Sequence, residues 1–89
     1  MASNYKWKID ETLEDESTVS HSVSLVCSYI TGKAIITIDG DKYDISTDLF
    51  SLRGTRQMFR LGDMAATIEF PKSGKPRIII DGKPILPKG

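Results

Sequence analysis

Two side chains of this sequence could act as a nucleophile and a general base. Cys27 and His21 are the single thiol and the single imidazole among the 89 residues. Proton transfer between such groups needs hydrogen-bond reach, whereas the interval between them on one extended strand corresponds to roughly 20 Å. Serines stand at positions 20, 22 and 24 around His21, but no oxyanion loop accompanies them. The spacing therefore predicts that the chain is not an enzyme.

The acidic residues and the lone cysteine predict no metal site. Asp39, Asp41 and Asp44 lie near one another in sequence, as calcium ligands do. An EF-hand loop needs Gly at its sixth position and Glu at its twelfth, and those positions here are Asp44 and Phe50. One cysteine supplies neither an internal disulfide nor the ligands of a structural zinc site. We therefore interpret these aspartates as turn residues.

Two aromatic residues near the start allow two interpretations. Tyr5 and Trp7 share one face of a predicted first strand with Ile9. An exposed pair of such rings could stack on a sugar, whereas a buried pair would belong to the core. Because the apolar Ile9 lies on the same face, we favour the interpretation that both rings belong to the core. A small-ligand or carbohydrate-binding sandwich that uses Tyr5 and Trp7 stays open as the alternative function.

The dipeptide Asp-Gly occurs twice, each time after an alternating apolar run: Ile36-Thr37-Ile38-Asp39-Gly40 and Ile78-Ile79-Ile80-Asp81-Gly82. Asp and Gly tolerate the positive φ of a type I′ turn, so this pattern is typical of tight β-hairpins. The predicted turn residues are Asp39, Gly40, Asp81 and Gly82. Two such hairpins in so short a chain indicate an antiparallel sheet.

A period of two residues dominates the rest of the chain, and no window keeps the helical period. The pattern predicts an all-β fold, an antiparallel β-sandwich of about seven to eight short strands joined by tight hairpins. We expect a single domain over residues 1–89. The acidic stretch at about 10–20 holds few apolar residues and is predicted to be a mobile loop. Leu49-Phe50-Ser51-Leu52 is a further short apolar segment.

The net charge is zero, but the two halves differ in sign. Residues 1–50 carry four Lys/Arg and nine Asp/Glu, whereas residues 51–89 carry eight and three. The balanced total argues against nucleic acid as the main partner. No apolar run is long enough to span a bilayer, and the first residues lack the apolar stretch of a signal peptide. We therefore expect a cytoplasmic protein that binds no membrane.

A stripe of arginine and methionine is the candidate partner surface. If Gln57, Phe59 and Leu61 face the core, period two sends alternate residues of that strand outward. Arginine and methionine are enriched at protein interfaces. The predicted surface for a protein partner is Arg53, Arg56, Met58 and Arg60. Self-association stays open, and the alternative is that the stripe only neutralises the acidic segment Asp10–Glu16 of the same chain.

Seven segments form an ordered pattern over nearly the whole chain: Trp7, His21-x-Val23-x-Leu25, Gly32-Lys33-x-x-Ile36-x-Ile38-Asp39-Gly40, Leu49-Phe50-x-Leu52-x-Gly54, Phe59-x-Leu61-Gly62, Ala66-x-Ile68 and Ile78-x-Ile80-Asp81-Gly82-Lys83. This pattern resembles one module of the Fas apoptotic inhibitory molecule family. The resemblance implies a β-sandwich without cofactor or enzyme activity. Animal members contain two modules and are linked to protection from receptor-triggered cell death and from aggregation under stress. The resemblance thus implies a protein-interaction module with a stress-protective or anti-aggregation role. It defines no catalytic or ligand residues.

Overall fold

The computed structural model describes residues 2–47 and 52–88. These residues form two four-stranded antiparallel sheets and contain no helix. The predicted all-β, antiparallel sandwich class is therefore confirmed. Within the same residues, no helix is long and apolar enough to cross a membrane. Of the short apolar segment at 49–52, only Leu52 is described, and it is buried; the other three residues lie outside the described part of the chain.

The first sheet is an up-and-down meander in which each strand pairs with the next along the chain. Its strands are β1 Ser3–Thr12, β2 Thr18–Ser28, β3 Lys33–Ile38 and β4 Asp41–Asp44. Alternation forms these strands, because apolar side chains at every second position of β1 and β2 are buried while the lysines and serines between them face outward. Val23, Leu25 and Cys27 lie inward as predicted.

The second sheet repeats this order with shorter strands. They are β5 Thr55–Leu61, β6 Met64–Phe70, β7 Arg77–Ile80 and β8 Lys83–Ile85. Ala66, Ile68 and Phe70 are buried as the alternation predicts. Pro84 lies on β8, an edge strand, which suits a residue that cannot donate to a ladder. The core is the space between the inward faces of the two sheets.

The prediction of a mobile loop at about 10–20 is wrong in extent. β1 continues to Thr12 and β2 begins at Thr18, so the connecting turn covers residues 13–17 alone. In that turn the amide of Leu13 donates to the carbonyl oxygen of Ser17 at 2.8 Å. The extra residues of β1 keep the alternation, but their one buried position holds Glu11, and the first buried position of β2 holds His21. A pattern read from apolar residues alone misses strands whose buried positions are charged.

One side of the sandwich is closed and the other is open. On the closed side, the indole N–H of Trp7 in β1 donates to the carbonyl oxygen of Ile85 in β8 at 2.9 Å. An antiparallel bridge between Lys6 and Lys88 continues that contact. On the opposite side, β4 and β5 are edge strands that pair with β3 and β6 and not with each other. The open side therefore exposes two strand edges and the core between them.

Both Asp-Gly turns have the predicted backbone conformation. φ is 49° at Asp39 and 92° at Gly40, and 52° at Asp81 and 76° at Gly82. Two successive positive φ values are what a type I′ turn requires. Each turn joins the third and fourth strands of its sheet. The predicted turns are thus confirmed as hairpin turns.

We expect Gly40→Val or Gly82→Val to reduce the free energy of unfolding by about 1–3 kcal/mol, because a β-branched side chain resists positive φ. No heavy atom lies within 4 Å of the Cβ position at either glycine, so a steric clash adds nothing. Gly40→Asn is the matched control, since Asn tolerates this region. Urea titration measures the difference; a valine variant as stable as the wild type would contradict the turn geometry.

Candidate functional site

A buried charged cluster surrounds the only histidine. Nδ1 of His21 lies 2.7 Å from Oδ2 of Asp39, and Nε2 lies 2.9 Å from Oε1 of Glu11. The side chains of His21 and Glu11 are each 8% exposed, and that of Asp39 is 44% exposed. Both ring nitrogens therefore contact carboxylate oxygens, which is the arrangement that favours a protonated imidazolium donating twice.

Backbone donors complete the cluster and connect it to both sheets. The amide of Ser22 donates to Oδ1 of Asp39 at 2.8 Å, so the β3–β4 turn binds back to β2. The amide of Asp63, in the turn between β5 and β6, donates to Oε2 of Glu11 at 3.1 Å. A Cβ at Gly62 would overlap the Glu11 carboxylate and lie 2.8 Å from Nε2 of His21. The missing side chain at Gly62 thus lets the second sheet approach.

The structure brings His21 together with Asp39, which the sequence predicts only as a turn former, and with Glu11, which lies in the predicted loop. One sequence signal was available: Glu11 and His21 continue the inward positions of Trp7, Ile9 and Val23 on their strands. Because both ring nitrogens are hydrogen-bonded, the imidazole has no free lone pair for base catalysis or metal ligation. The described residues contain no group of three or more His, Cys, Asp or Glu arranged to hold a metal ion.

The carboxylates change the titration of the imidazole. The hydrogen bond to Asp39, followed by that to Glu11, raises the pKa of His21 above its ordinary 6.5. Reciprocally, the hydrogen bond from His21, followed by that from the Ser22 amide, lowers the pKa of Asp39 below 3.8. His21 and Asp39 are therefore both predominantly charged at pH values between these two ordinary values, where their ion pair holds the β3–β4 turn against β2.

The pH dependence of stability follows from these directions. A raised pKa in the folded state means that the His21 contribution is complete below pH 6.5 and is lost as pH rises through the folded pKa. The Asp39 contribution is present above pH 3.8 and is lost as pH falls through its lowered pKa. We expect the melting temperature to fall as pH rises above 6.5 and through the raised pKa of His21.

The control is His21→Gln, which removes the titrating group and is expected to flatten this alkaline slope. Since the chain has one histidine, a single imidazole proton resonance reports its titration directly by NMR. A midpoint below 6.5 in the folded protein would contradict the cluster. An alkaline slope that persists in the variant would assign the pH dependence to another group.

Cys27 lies in the core, as predicted. It is 2% exposed, and burial raises the pKa of its thiol. A buried thiol with a raised pKa holds little of the reactive thiolate at neutral pH. The residue therefore packs as a small apolar group.

We expect Cys27→Ala to reduce the free energy of unfolding by an amount on the order of 1 kcal/mol, because a small buried volume is lost. Cys27→Ser is the matched comparison and costs more, since it adds a buried hydroxyl. Labelling with a thiol reagent should be slow in the native protein and fast in urea. Rapid native labelling would contradict the inward placement.

The predicted alternative of a sugar-stacking platform does not fit the positions of the rings. Trp7 is 2% exposed and its indole N–H is already bonded to the main chain of Ile85. Tyr5 packs against the core with its ring centroid 6.5 Å from that of Trp7. The core interpretation of this pair is the one that the structure supports.

An apolar groove lies between the edges of β4 and β5, and we call it the β4–β5 groove. Its volume is about 360 Å³. The lining residues are Ile36, Ile38, Tyr43, Ile45, Gln57, Met58, Phe59, Arg60 and Ile68. Tyr43 is 51% exposed and Met58 is 73% exposed. Of the three β5 residues predicted to face the core, Leu61 is buried, Phe59 is half-buried and Gln57 is exposed at this opening. No strand among the residues that the structure describes pairs with this edge of β5.

The predicted partner surface divides into two parts. Arg56, Met58 and Arg60 all face solvent along β5, and we call them the β5 stripe. Neither arginine of the stripe forms an ion pair with any described carboxylate, including those at 10–16. Arg53 differs: its Nη1 donates to the carbonyl oxygens of Pro71 and Gly74, and its guanidinium lies 4.1 Å from the ring centroid of Tyr29. Arg53 therefore fixes a loop and is removed from the candidate surface.

Comparison of the chain with protein-family models, with curated proteins and with solved structures finds no match. The resemblance to the Fas apoptotic inhibitory molecule family stays a prediction. The groove and the stripe are therefore interpreted from their own geometry.

Proposed function

We propose that this chain is a non-catalytic, cytoplasmic protein-interaction module that binds an extended protein segment at its open side. The observation that carries this proposal is the combination, in one place, of a strand edge that pairs with no described strand and an apolar groove lined by described residues. A strand edge offers backbone donors and acceptors to an added strand, while a neighbouring groove accepts alternate side chains. The open side provides both, because β5 is an edge strand and the β4–β5 groove lies beside it.

The chemistry of the open side defines the class of partner. Apolar side chains of a bound segment would cover Tyr43, Ile45 and Phe59, whose burial in the isolated chain is incomplete. The guanidinium groups of Arg56 and Arg60 have no carboxylate partner among the described residues, and arginine pairs with carboxylates through two parallel hydrogen bonds. The preferred partner is therefore an extended segment that alternates apolar and acidic residues.

The same surface supports the stress-related role that the family resemblance implies. Proteins that aggregate do so largely through exposed, unpaired strands. A module that pairs its own edge with such strands would keep them from one another. The resemblance to the Fas apoptotic inhibitory molecule family thus favours a stress-protective or anti-aggregation role. The partners would then be recognised by their extended backbone rather than by one particular sequence.

We expect Arg56→Glu combined with Arg60→Glu to abolish capture of the partner from an extract of the source cell, because both guanidinium contacts are reversed in charge. The melting temperature should remain nearly unchanged, since neither arginine loses an ion pair with a described residue. Affinity capture with each variant as bait, followed by comparison of the retained proteins, measures the first effect; thermal unfolding measures the second.

The matched control is Lys6→Glu combined with Lys8→Glu, which makes the same change in net charge on the exposed face of β1. This control should capture as the wild type does. Unchanged capture by the folded Arg56 and Arg60 variant would exclude the β5 stripe from the binding surface. A fall in melting temperature with capture retained would instead favour neutralisation within the chain.

A further inference from the structure

We propose that Asp81 is a site of spontaneous isomerisation to isoaspartate, and that contacts with β2 protect Asp39, its counterpart in the first sheet, from the same reaction. This inference goes beyond the proposed binding function, because it concerns a covalent change of the chain itself. It starts from the two Asp-Gly turns, which share their local sequence and their positive φ values. The two turns differ in what surrounds the aspartate.

The reaction requires only the aspartate and the backbone amide that follows it. The amide nitrogen of Gly82 attacks Cγ of Asp81, and a C–N bond forms while the carboxyl hydroxyl leaves as water with the amide proton. The product is a five-membered succinimide. Water then opens the ring at either carbonyl. Opening at Cγ restores aspartate, whereas opening at the backbone carbonyl leaves the chain running through Cγ, which is isoaspartate of unchanged mass.

The glycine favours attack equally in both turns. Without a Cβ, glycine leaves its amide nitrogen unshielded and its backbone free to rotate. No heavy atom lies within 4 Å of the Cβ position of Gly40 or of Gly82. The glycines therefore do not distinguish the two sites, and any difference in rate comes from the surroundings of the aspartates.

Three contacts hold Asp39 against β2. Its amide donates to the carbonyl oxygen of Ser22 at 2.9 Å, and its Oδ1 accepts from the amide of Ser22 at 2.8 Å. Its Oδ2 lies 2.7 Å from Nδ1 of His21. Attack at Cγ requires the carboxylate to turn towards the next amide, so these contacts must break first. They also lower the pKa of Asp39, and the anionic form has no hydroxyl to release as water.

Asp81 has no such restraint. The residue is exposed, and no hydrogen bond or ion pair joins it to another residue that the structure describes. The registers explain the difference. Ser22 is the β2 partner next to the Val23–Ile38 pair, whereas the position next to the Ala66–Ile80 pair on β6 is residue 65, an alanine. The residue before it is a methionine, where β2 has its histidine, and a thioether cannot donate to a carboxylate.

The second turn also lies in the weaker hairpin. β7 and β8 join through three residue pairs, and Pro84 donates no ladder bond. β3 and β4 join through four pairs, and the amides of Ile45 and Thr47 add bonds to the carbonyl oxygens of Ala34 and Gly32, both at 2.9 Å. Local opening is easier where fewer hydrogen bonds must break. The turn at 81–82 therefore reaches the conformation for ring closure more readily.

Isomerisation at Asp81 would act on the closed side of the sandwich. An extra backbone atom in a two-residue turn is incompatible with the register that a type I′ turn imposes. β8 would then lose its alignment with β7. Because the carbonyl oxygen of Ile85 in β8 accepts the indole N–H of Trp7 at 2.9 Å, the modification would loosen this contact between the sheets. The fluorescence of Trp7, the single tryptophan, should therefore shift.

Ageing of the native protein tests the proposal. The chain is incubated at body temperature and mildly acidic pH, where His21 is charged, and is then digested with trypsin. Trypsin does not cleave before Pro84, so the two aspartates are released on separate peptides, residues 34–42 and 78–88. Reversed-phase separation against synthetic isoaspartyl peptides measures each site. We expect isoaspartate to accumulate several-fold faster at Asp81 than at Asp39. Equal rates, a faster rate at Asp39, or no isoaspartate at Asp81 would each overturn the proposal.

Incubation of the wild type in urea separates fold from local sequence. Urea removes the contacts at both turns, so the two rates should become similar. A several-fold difference that persists in urea would assign the selectivity to local sequence and overturn the protection by β2. This comparison needs no variant, so it decides the matter even where a substitution prevents folding.

A pair of variants tests the contact with His21. His21→Gln removes the donor at the position of Nδ1 and should raise the rate at Asp39 several-fold, with Asp81 unchanged. His21→Asn is the matched control, since its amide nitrogen can take the position of Nδ1, and it should raise the rate at Asp39 less. Thermal unfolding confirms that each variant is folded. Folded variants with the wild-type rate at Asp39 would overturn protection by His21.

Discussion

The buried imidazole of His21 connects four backbone segments at one end of the sandwich. It lies on β2, contacts Glu11 of β1 and Asp39 of the β3–β4 turn, and reaches the β5–β6 turn through the Asp63 amide on Glu11. Burying Glu11 or His21 alone would be costly, so the strands extend far enough to bring the two together beside Asp39. This requirement explains why β1 and β2 continue through an acidic stretch with few apolar residues, and why no side chain stands at position 62.

The two sheets are joined along one side of the sandwich but, among the described residues, not along the other. The Trp7 and Lys6–Lys88 contacts join β1 to β8, whereas β4 and β5 remain edges with an apolar groove between them. Exposed edges favour association with other strands, and proteins commonly protect them with proline or charge. β8 carries Pro84, while β5 carries arginines. An edge that is charged with one sign excludes copies of itself and still accepts an acidic strand, which makes the open side selective.

The two Ile-x-Ile-Asp-Gly units correspond to equivalent places in the two halves. Each spans the third strand of its sheet and the turn into the fourth. The halves are similar in topology but opposite in charge. The strands of the first sheet nevertheless hold equal numbers of basic and acidic residues, because the acidic excess of residues 1–50 lies in the connecting segments.

Local chemistry in the sequence was sufficient for the strands and turns. The two-residue alternation predicted the all-β antiparallel fold, and the Asp-Gly pairs predicted both positive-φ turns, because side-chain direction and turn conformation depend on neighbouring residues. The tertiary structure alone decided the His21 cluster, the loop contacts of Arg53 and the open side. Those features join residues from 10 to 52 positions apart in the chain, and they depend on which strand edges meet when the two sheets pack. The packing of those edges depends on burial and charge between residues that are far apart in sequence, so a pattern of neighbouring residues does not predict it.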